Sequence, residues 1–450
     1  MECDLIIIGA GPGGYETATK AAKAGLKTVI IEKANLGGTC LNAGCIPTKC
    51  LCHSAEVLDE VRAAGFASDT VDIASIVARK NSVVDKLRAG VGMLMKAPGI
   101  TFVEGEARFV DAHTVVVSKA DGAEEQYTAP HVIIATGSVT KFLPIEGAHA
   151  KGVVTSTEIL NLETLPKHLC IIGGGVIGME FASIFRSFGV EVDVVEFMKE
   201  ILPAFDRDIA KRLRTSLKKR GISVHVGAAA KAIHEGEPMR VDFEEKGKPQ
   251  TLECDLVLMA VGRGANVEAI NLEDIGVEYS RRGITVDENM QTNVPGVYAI
   301  GDVNGLCQLA HAATFQGYCA LDHILNPDNE GAYCEALKVI PAAVFTTPEV
   351  AMVGATEEQL SEAGVEFKAL KSFYRANGKA LSMDADDGIA KILVAPDGTI
   401  LGAHILGTHS SDMIHEVAVL MRKGGTIKDI AHTVHAHPSL SEIILAAAEA

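Results

Sequence analysis

Two stretches of this chain carry the same composite pattern, and each copy dictates a strand, a tight turn and a helix. The apolar run Asp4-Leu5-Ile6-Ile7-Ile8 ends at Gly9-Ala10-Gly11-Pro12-Gly13-Gly14. A helix is expected from Tyr15 to Ala24, then a strand from Thr28 to Ile31, closed by Glu32. The pattern returns with the strand Leu169 to Ile172, then Gly173, Gly175 and Gly178. A helix from Met179 to Phe188 and a strand from Val190 to Val195 lead to Glu196. In each copy the acid stands eighteen residues beyond the third glycine. Such glycines permit a tight turn and let a pyrophosphate approach a helix N-terminus. The acid is placed to accept hydrogen bonds from an adenosine ribose. The glycines alone would say little, but with strand, helix and acid in place they predict two dinucleotide sites. Glu196 would bond a free 2′-hydroxyl and repel a 2′-phosphate, which favours NAD over NADP. No arginine lies between Val192 and Glu200, and Lys199 reads as solvated surface.

A chain of 450 residues predicts two to four domains. Its 41 basic and 58 acidic residues leave a net charge of −17, which argues against nucleic-acid or anionic-membrane partners. No apolar run approaches the roughly 18–20 residues that span a bilayer. The run Leu5 to Ala10 is too short for a signal segment and lacks a basic flank. A soluble, cytoplasmic protein is expected. Ten cysteines are too few for a disulfide scaffold. Outside the motif below they read as small core residues, Cys170 and Cys254 within apolar strands among them. Two further segments look like nucleotide contacts. One is Val132 to Ser138, a strand ending in Ala135-Thr136-Gly137. The other is Thr292 to Asp302, a strand ending in Gly301-Asp302. Asp302 is either a ligand for a polyol chain or the N-cap of a helix expected from Ala310 to Asp322. Spacing leaves both open.

Cys40 and Cys45 lie within Gly37 to Lys49, shortly after the first glycine motif. Two thiols there suggest a redox disulfide facing a cofactor. On an ideal helix, residues five apart point about 140° away from each other. The helix must therefore be broken between them, and Gly44 and Pro47 are the residues to break it. Cys40, Cys45, Cys50 and Cys52 do not form the two separated close pairs of a zinc ribbon, so no metal is expected. Towards the C-terminus, strands are expected at Pro341 to Ala351, Lys371 to Phe373, Ile389 to Val394 and Thr399 to Leu406. A helix from Met413 to Lys423 stops at Gly424-Gly425. This is an α+β module without a phosphate loop. It contains His435-Ala436-His437-Pro438-Ser439-Leu440-Ser441-Glu442. His437 could take a proton near neutral pH with Glu442 orienting it. Equally, Ser439 and Glu442 could form a capping box that leaves the histidines in a loop.

The run Gly37 to Lys49, the two glycine motifs, the Ala-Thr-Gly turn and Tyr298-Ala299-Ile300-Gly301-Asp302 together resemble the pyridine nucleotide-disulfide oxidoreductase flavoproteins. The likeness covers nearly the whole chain. It implies an α/β fold of two Rossmann-like dinucleotide-binding domains with a C-terminal α+β dimerisation domain. It implies FAD on Gly9, Gly11, Gly14 and Glu32, with Ala135, Thr136 and Gly137 as a second contact and Asp302 on the ribityl chain. Lys49 would stand near the flavin N5, paired with Glu180. NAD would lie on Gly173, Gly175, Gly178 and Glu196, and Gly262 joins the cofactor contacts. The implied domains are 1–147 for FAD, 148–264 for NAD, 265–335 completing the FAD site and 336–450 forming the interface.

In such proteins the cysteine pair is the redox centre, and His437 with Glu442 would serve it from the second subunit of a homodimer, with His435 in support. Members with a C-terminal cysteine pair are excluded, since no cysteine follows Cys334. Glu196 stands where glutathione reductases use arginines, and the presence of Cys40 excludes the flavin transhydrogenases. Cys-Ile-Pro-Thr-Lys and His-Ala-His-Pro-x-Leu-x-Glu are closest to members that oxidise protein-bound dihydrolipoamide with NAD. The implied partner is the lipoyl carrier domain of a 2-oxoacid dehydrogenase complex or a glycine cleavage system. It is expected on a separate chain, because the sequence opens at the first strand. The alternatives are reduction of a different disulfide, or a structural hub of a multienzyme assembly. One departure from the family pattern is Gly264-Ala265-Asn266, where Arg-Pro-Asn is usual, and it predicts a slightly altered hinge.

Overall fold

The structure, a computed structural model, describes residues 1–66, 70–268, 270–328 and 332–450. Along the chain run β1 (Leu5–Ile8), α1 (Pro12–Lys23), β2 (Thr28–Glu32), α2 (Gly38–Ala43), α3 (Cys45–Ala63), β3 (Ile100–Glu104) and β4 (His131–Ile134). Next come β5 (His168–Ile172), α4 (Val176–Ser187), β6 (Glu191–Glu196), α5 (Arg207–Lys219), β7 (Ile222–Val226) and β8 (Leu256–Met259). The rest of the chain contributes β9 (Val297–Ala299), α6 (Ala310–Leu325), α7 (Ala332–Ala336), β10 (Ile389–Val394), β11 (Ile400–Leu406), α8 (Ser410–Arg422) and α9 (Glu442–Ala448).

The chain divides into two compact units. The first comprises Met1–Cys50, Ala78–Lys141 and Arg263–Lys338. Its centre is a parallel sheet in the order β9-β4-β1-β2-β3. The residues of β1 are all buried, because helices and loops cover both faces of a parallel sheet. Ile8 pairs with Ile31, so Glu32 stands one step beyond the end of β1. Helix α1 crosses α6 closely. A Cβ on Gly317 would stand 1.9 Å from the Thr17 hydroxyl, and one on Gly13 would stand 3.1 Å from the Ala313 carbonyl.

The second unit comprises Leu51–Val77, Phe142–Gly262 and Val339–Ala450. It repeats the parallel design in the order β7-β6-β5-β8, extended at the edge by Val153–Val154. A second five-stranded sheet in this unit is antiparallel, ordered Ala342–Val344, Val350–Gly354, β11, β10, Lys368–Phe373. Ile389–Val394 is a strand over the expected residues, while the flanking strands and α8 shift by one to three residues.

A fully buried cation in this apolar interior is Lys391 on β10. Its ammonium group is fully buried and lies 2.7 Å from both Asp206 carboxylate oxygens and 2.8 Å from Glu357. Asp206 also caps α5, accepting from the Asp208 and Ile209 amides at 3.1 and 3.4 Å. Burial pushes the Asp206 carboxyl up, but the hydrogen bonds and charge of Lys391 outweigh it and hold the group below its ordinary value. His404, opposite Lys391 in the ladder, is driven towards its neutral form by burial and donates from Nε2 to the Ala355 carbonyl, 2.9 Å away. Removing one member of a buried pair strands the other, at roughly 3–5 kcal/mol. Lys391→Met should therefore lower the denaturant stability of this unit by about that amount. Adding Asp206→Asn, which keeps a capping oxygen, should recover part of the loss. Equal stabilities of the single and double variants in urea titrations would show that the pair is not the cause.

Candidate active site

The first glycine motif is built around one steric fact. Gly14 packs so tightly on the turn that a Cβ there would stand 2.0 Å from the Gly9 carbonyl oxygen. Gly9 itself has φ +104° and leaves no room for a Cβ beside the Ala135 carbonyl. Gly11, by contrast, faces open space, with only the Gly38 Cα within 4 Å of its notional Cβ. That opening sits at the N-terminus of α1, with Pro12 in its first turn. Glu32 accepts from the Ala10 amide at 2.9 Å and from the Ala34 amide at 2.9 Å.

The second motif, in the other unit, repeats these contacts. Gly178 meets the Gly173 carbonyl at the same 2.0 Å, Gly173 meets that of Ala260, and nothing lies within 4 Å of Gly175. Glu196 accepts from the Gly174 amide and, at 2.5 Å, from the Met198 amide. Both cradles thus fit a dinucleotide pyrophosphate, with an acid already oriented at the strand end. Gly262 lies exposed three residues beyond β8, with φ +100°. Buried Glu180 on α4 accepts from the Phe345 amide at 3.0 Å.

Asp302 is not the N-cap of the following helix. It lies in a 3₁₀ turn, Gly301–Asn304, whereas the N-cap of α6 is Leu309. Its carboxylate accepts from the Ser138 hydroxyl at 2.5 Å. Ser138 in turn accepts from Arg263 Nε at 2.8 Å, and Arg263 Nη2 reaches the Ser138 carbonyl at 2.6 Å. Burial pushes the Arg263 guanidinium down, and Asp302 opposes that shift. Buried Gln316 holds the turn by accepting from the Gly301 and Asn304 groups at 2.6 and 2.9 Å. Neither Arg263 nor Gln316 was legible as a site residue: Arg263 meets Ser138 across 125 residues, and Gln316 reaches back to the turn from the next helix. The unusual Gly264-Ala265 pair is a short strand, Arg263–Ala265, antiparallel to Ser138–Thr140. Asn266, which keeps the usual residue type, braces the Ala-Thr-Gly turn from the Thr136 hydroxyl and the Gly137 carbonyl.

Cys40 and Cys45 form a disulfide, with Cα atoms 4.7 Å apart. The required break is Gly44, where α2 ends and after which α3 begins. A Cβ on Gly44 would stand 2.9 Å from the Thr39 carbonyl, so only glycine lets the chain fold back over Cys40. Pro47 sits in the first turn of α3, where no amide donor is needed, and does not make the break. Asn42 fastens the loop by donating to the Leu36 and Gly38 carbonyls at 2.9 Å each, and Arg88 donates to it at 2.9 Å. Cys45 is exposed, while Cys40 and Lys49 are half-buried. One expectation fails. Cys319 and Cys334 are not merely small core residues but a second disulfide, with Cα atoms 5.0 Å apart. Asn326-Pro327-Asp328, just after α6, marks a turn in the sequence, but helix pairing is not read from it.

In the second unit, His437 Nδ1 lies 2.9 Å from one Glu442 oxygen, and the other accepts from the Ser439 amide at 2.8 Å. Both readings of Glu442 thus hold in part. It serves the helix start and orients the imidazole, but the N-cap of α9 is Ser441, and Ser439 makes no capping bond with its hydroxyl. With Nδ1–H given to the carboxylate, Nε2 is the free proton acceptor. The side chain is 79% exposed, so that nitrogen is accessible. His435 is held separately, by Glu416 at 2.9 Å and the Thr433 carbonyl.

Residues 3–317 match the family model for pyridine nucleotide-disulphide oxidoreductases, and residues 340–448 match the dimerisation domain of the same family. The chain belongs to that family. The oxidoreductase is 41% identical over 458 residues to a dihydrolipoyl dehydrogenase of Bacillus subtilis, covering all of this chain and 96% of the relative. It is 39% identical to a mitochondrial dihydrolipoyl dehydrogenase of Pisum sativum, covering all of this chain and 91% of that one. Among solved structures, the Cu(II) complex of the HOCl-induced flavoprotein disulfide reductase RclA from Escherichia coli matches with a TM-score of 0.90 at 31% identity, over 100% of this chain and 99% of the other. LpdA from Mycobacterium tuberculosis matches with the same TM-score at 28% identity, over 99% of each chain. The expected fold class is therefore that of the oxidoreductase, and FAD and NAD are the cofactors of its family. Among the described residues, no helix is long and apolar enough to cross a membrane.

The Ser439 amide and then His437 hold the Glu442 carboxyl below its ordinary value. A depressed carboxyl contributes its binding above the ordinary glutamate range and loses it as pH falls through the lowered value. The Glu442 carboxyl carbon should therefore titrate below a solvated glutamate by NMR. His437→Ala should move it upward only in part, because the Ser439 amide remains. Titration of Glu442 at the solvated value in the unmodified oxidoreductase would contradict the geometry.

Proposed function

We propose that this oxidoreductase oxidises carrier-bound dihydrolipoamide to lipoamide and reduces NAD to NADH, as a cytoplasmic homodimer served by a lipoyl carrier domain. The observation that carries the reading is the Cys40–Cys45 bond folded over Gly44, on the unit that bears the first nucleotide cradle. Whole-length relatives named dihydrolipoyl dehydrogenase support the substrate. The implied division at residues 147, 264 and 335 suits the two cradles and the C-terminal sheet.

In this reading, Gly9, Gly11, Gly14, Glu32, Lys49, Ala135, Thr136, Gly137 and Asp302 hold FAD. Gly173, Gly175, Gly178, Glu196 and Gly262 serve NAD, and Glu180 matches the glutamate that the family pairs with the lysine near the flavin. FAD supplies the link between thiol–disulfide exchange and hydride transfer, which side chains alone cannot provide. His437 of a second copy, oriented by Glu442, takes a proton from a dihydrolipoyl thiol. That thiolate attacks Cys40, breaking the Cys40–Cys45 bond and leaving Cys45 as a thiolate. The second dihydrolipoyl sulfur then displaces Cys40, closing the lipoyl ring. The two cysteines have gained the two electrons and the two protons divide between His437 and the cysteines.

Cys45→Ser should abolish the long-wavelength absorbance of a thiolate beside flavin in the two-electron-reduced protein, and persistence of that band would contradict the assignment. His437→Ala should slow lipoamide turnover by roughly 10²–10⁴-fold while leaving flavin reduction by NADH intact. The likeness to a flavoprotein disulfide reductase favours a second reading, reduction of a different disulfide. NAD-linked oxidation of dihydrolipoamide, measured beside a panel of disulfides with NADH, separates the two. Faster turnover of another disulfide would displace the proposed substrate.

A further inference from the structure

The Cys319–Cys334 bond lies apart from the chemistry described above, yet it is tied to the helix that carries the first glycine motif. Cys319 is fully buried on α6, and Cys334 is half-buried on α7. Helix α7 has five residues, far too few to persist without tertiary support. Its support is concentrated beside the bond. Tyr318 and Tyr333, each adjacent to one of the cysteines, stand with ring centroids 5.1 Å apart. The Lys20 ammonium of α1 sits 4.3 Å from the first ring and 3.7 Å from the second. A cation between two aromatic faces is attracted by both. Phe315 closes the cluster at 5.8 Å from Tyr333. Lys20 lies about 12 Å along α1 from Pro12, at the opposite end from the glycine motif. The bond therefore fixes α7, α7 presents Tyr333, and Tyr333 with Tyr318 holds the far end of α1.

We propose that Cys319–Cys334 is a second thiol–disulfide exchange site, a latch opened by a small vicinal dithiol, whose opening releases α7 and loosens the hold of α1 on its dinucleotide. The clause about the dinucleotide rests on the assignment of FAD to α1. One thiolate of the dithiol attacks the more accessible sulfur, that of Cys334, and breaks the bond to Cys319. The second thiol of the reagent then displaces Cys334, so the reagent becomes a cyclic disulfide and two protons and two electrons pass to the cysteines. Disulfides in reducing compartments are mostly transient or redox-sensing, which suits a latch better than a permanent staple. Dihydrolipoamide, the substrate proposed above, is itself a dithiol of this class.

The test uses the flavin-loaded protein and dithiothreitol as the dithiol. Alkylation after denaturation, read by peptide mass, should leave Cys319 and Cys334 unlabelled before treatment and labelled after it. The temperature at which flavin fluorescence appears should fall by roughly 5–10 °C on reduction. Cys319→Ser/Cys334→Ser should release flavin at the lower temperature without treatment. Because that variant keeps Cys40 and Cys45, any further change on reducing it measures the catalytic pair alone. If the variant does not fold, the reduced unmodified protein decides the matter. If flavin is never bound, the FAD assignment fails, and unfolding followed by circular dichroism decides the latch. Labelling of both cysteines without reductant, or equal transitions for oxidised and reduced forms after subtracting the effect of the catalytic pair, would overturn the proposal.

Discussion

The contact between the Cα of Gly14 and the carbonyl of Gly9 is the constraint on which the first unit depends. A single methyl group would collide there, and so the turn between β1 and α1 can close only with hydrogen at that position. Closure places the helix N-terminus at the end of the strand. The in-register pairing of β1 with β2 then sets Glu32 one residue past Ile8, within reach of the Ala10 amide. The second unit reaches the same geometry independently, with Ile172 opposite Val195 and Glu196 one step on. Two nucleotide cradles therefore follow from one steric rule used twice.

Glycine does different work at Gly44. There its role is to end one helix and start another within a single residue, bringing together two cysteines that a continuous helix would hold apart. The interruption costs helical hydrogen bonds, and Asn42 and Thr48 replace some of them by bonding to backbone carbonyls of the loop. A redox centre made this way depends on local sequence for its geometry and on the glycine motif before it for its position.

Much of this was legible in the sequence where a local rule governs it. The glycine motifs, the acids after them, the break between Cys40 and Cys45 and the buried strands each depend on residues within about twenty of one another. What escaped depends on pairings across long stretches of chain. Arg263 joins Ser138 over more than a hundred residues, and Lys391 finds Asp206 across 185. The Gly301–Gln316 and Cys319–Cys334 contacts each span only fifteen residues, but they depend on how a helix packs against its neighbour, which periodicity does not announce. Glu442 shows a third case. Its two oxygens satisfy two competing local rules at once, and spacing could not divide them.

The engaged acids at the strand ends bear on how the nucleotides would bind. Glu32 and Glu196 each use one lone pair per oxygen on a backbone amide, and a carboxylate has about four such sites. A ribose can therefore be accepted without breaking either bond. The rotamer entropy of a glutamate side chain, roughly 1.5–2 kcal/mol, has already been given up during folding and need not be lost again on association. Under the proposed assignment, the adenosine ends of both ligands would meet a site whose order precedes them, and their affinity would carry a smaller entropic penalty than a freely rotating acid would impose.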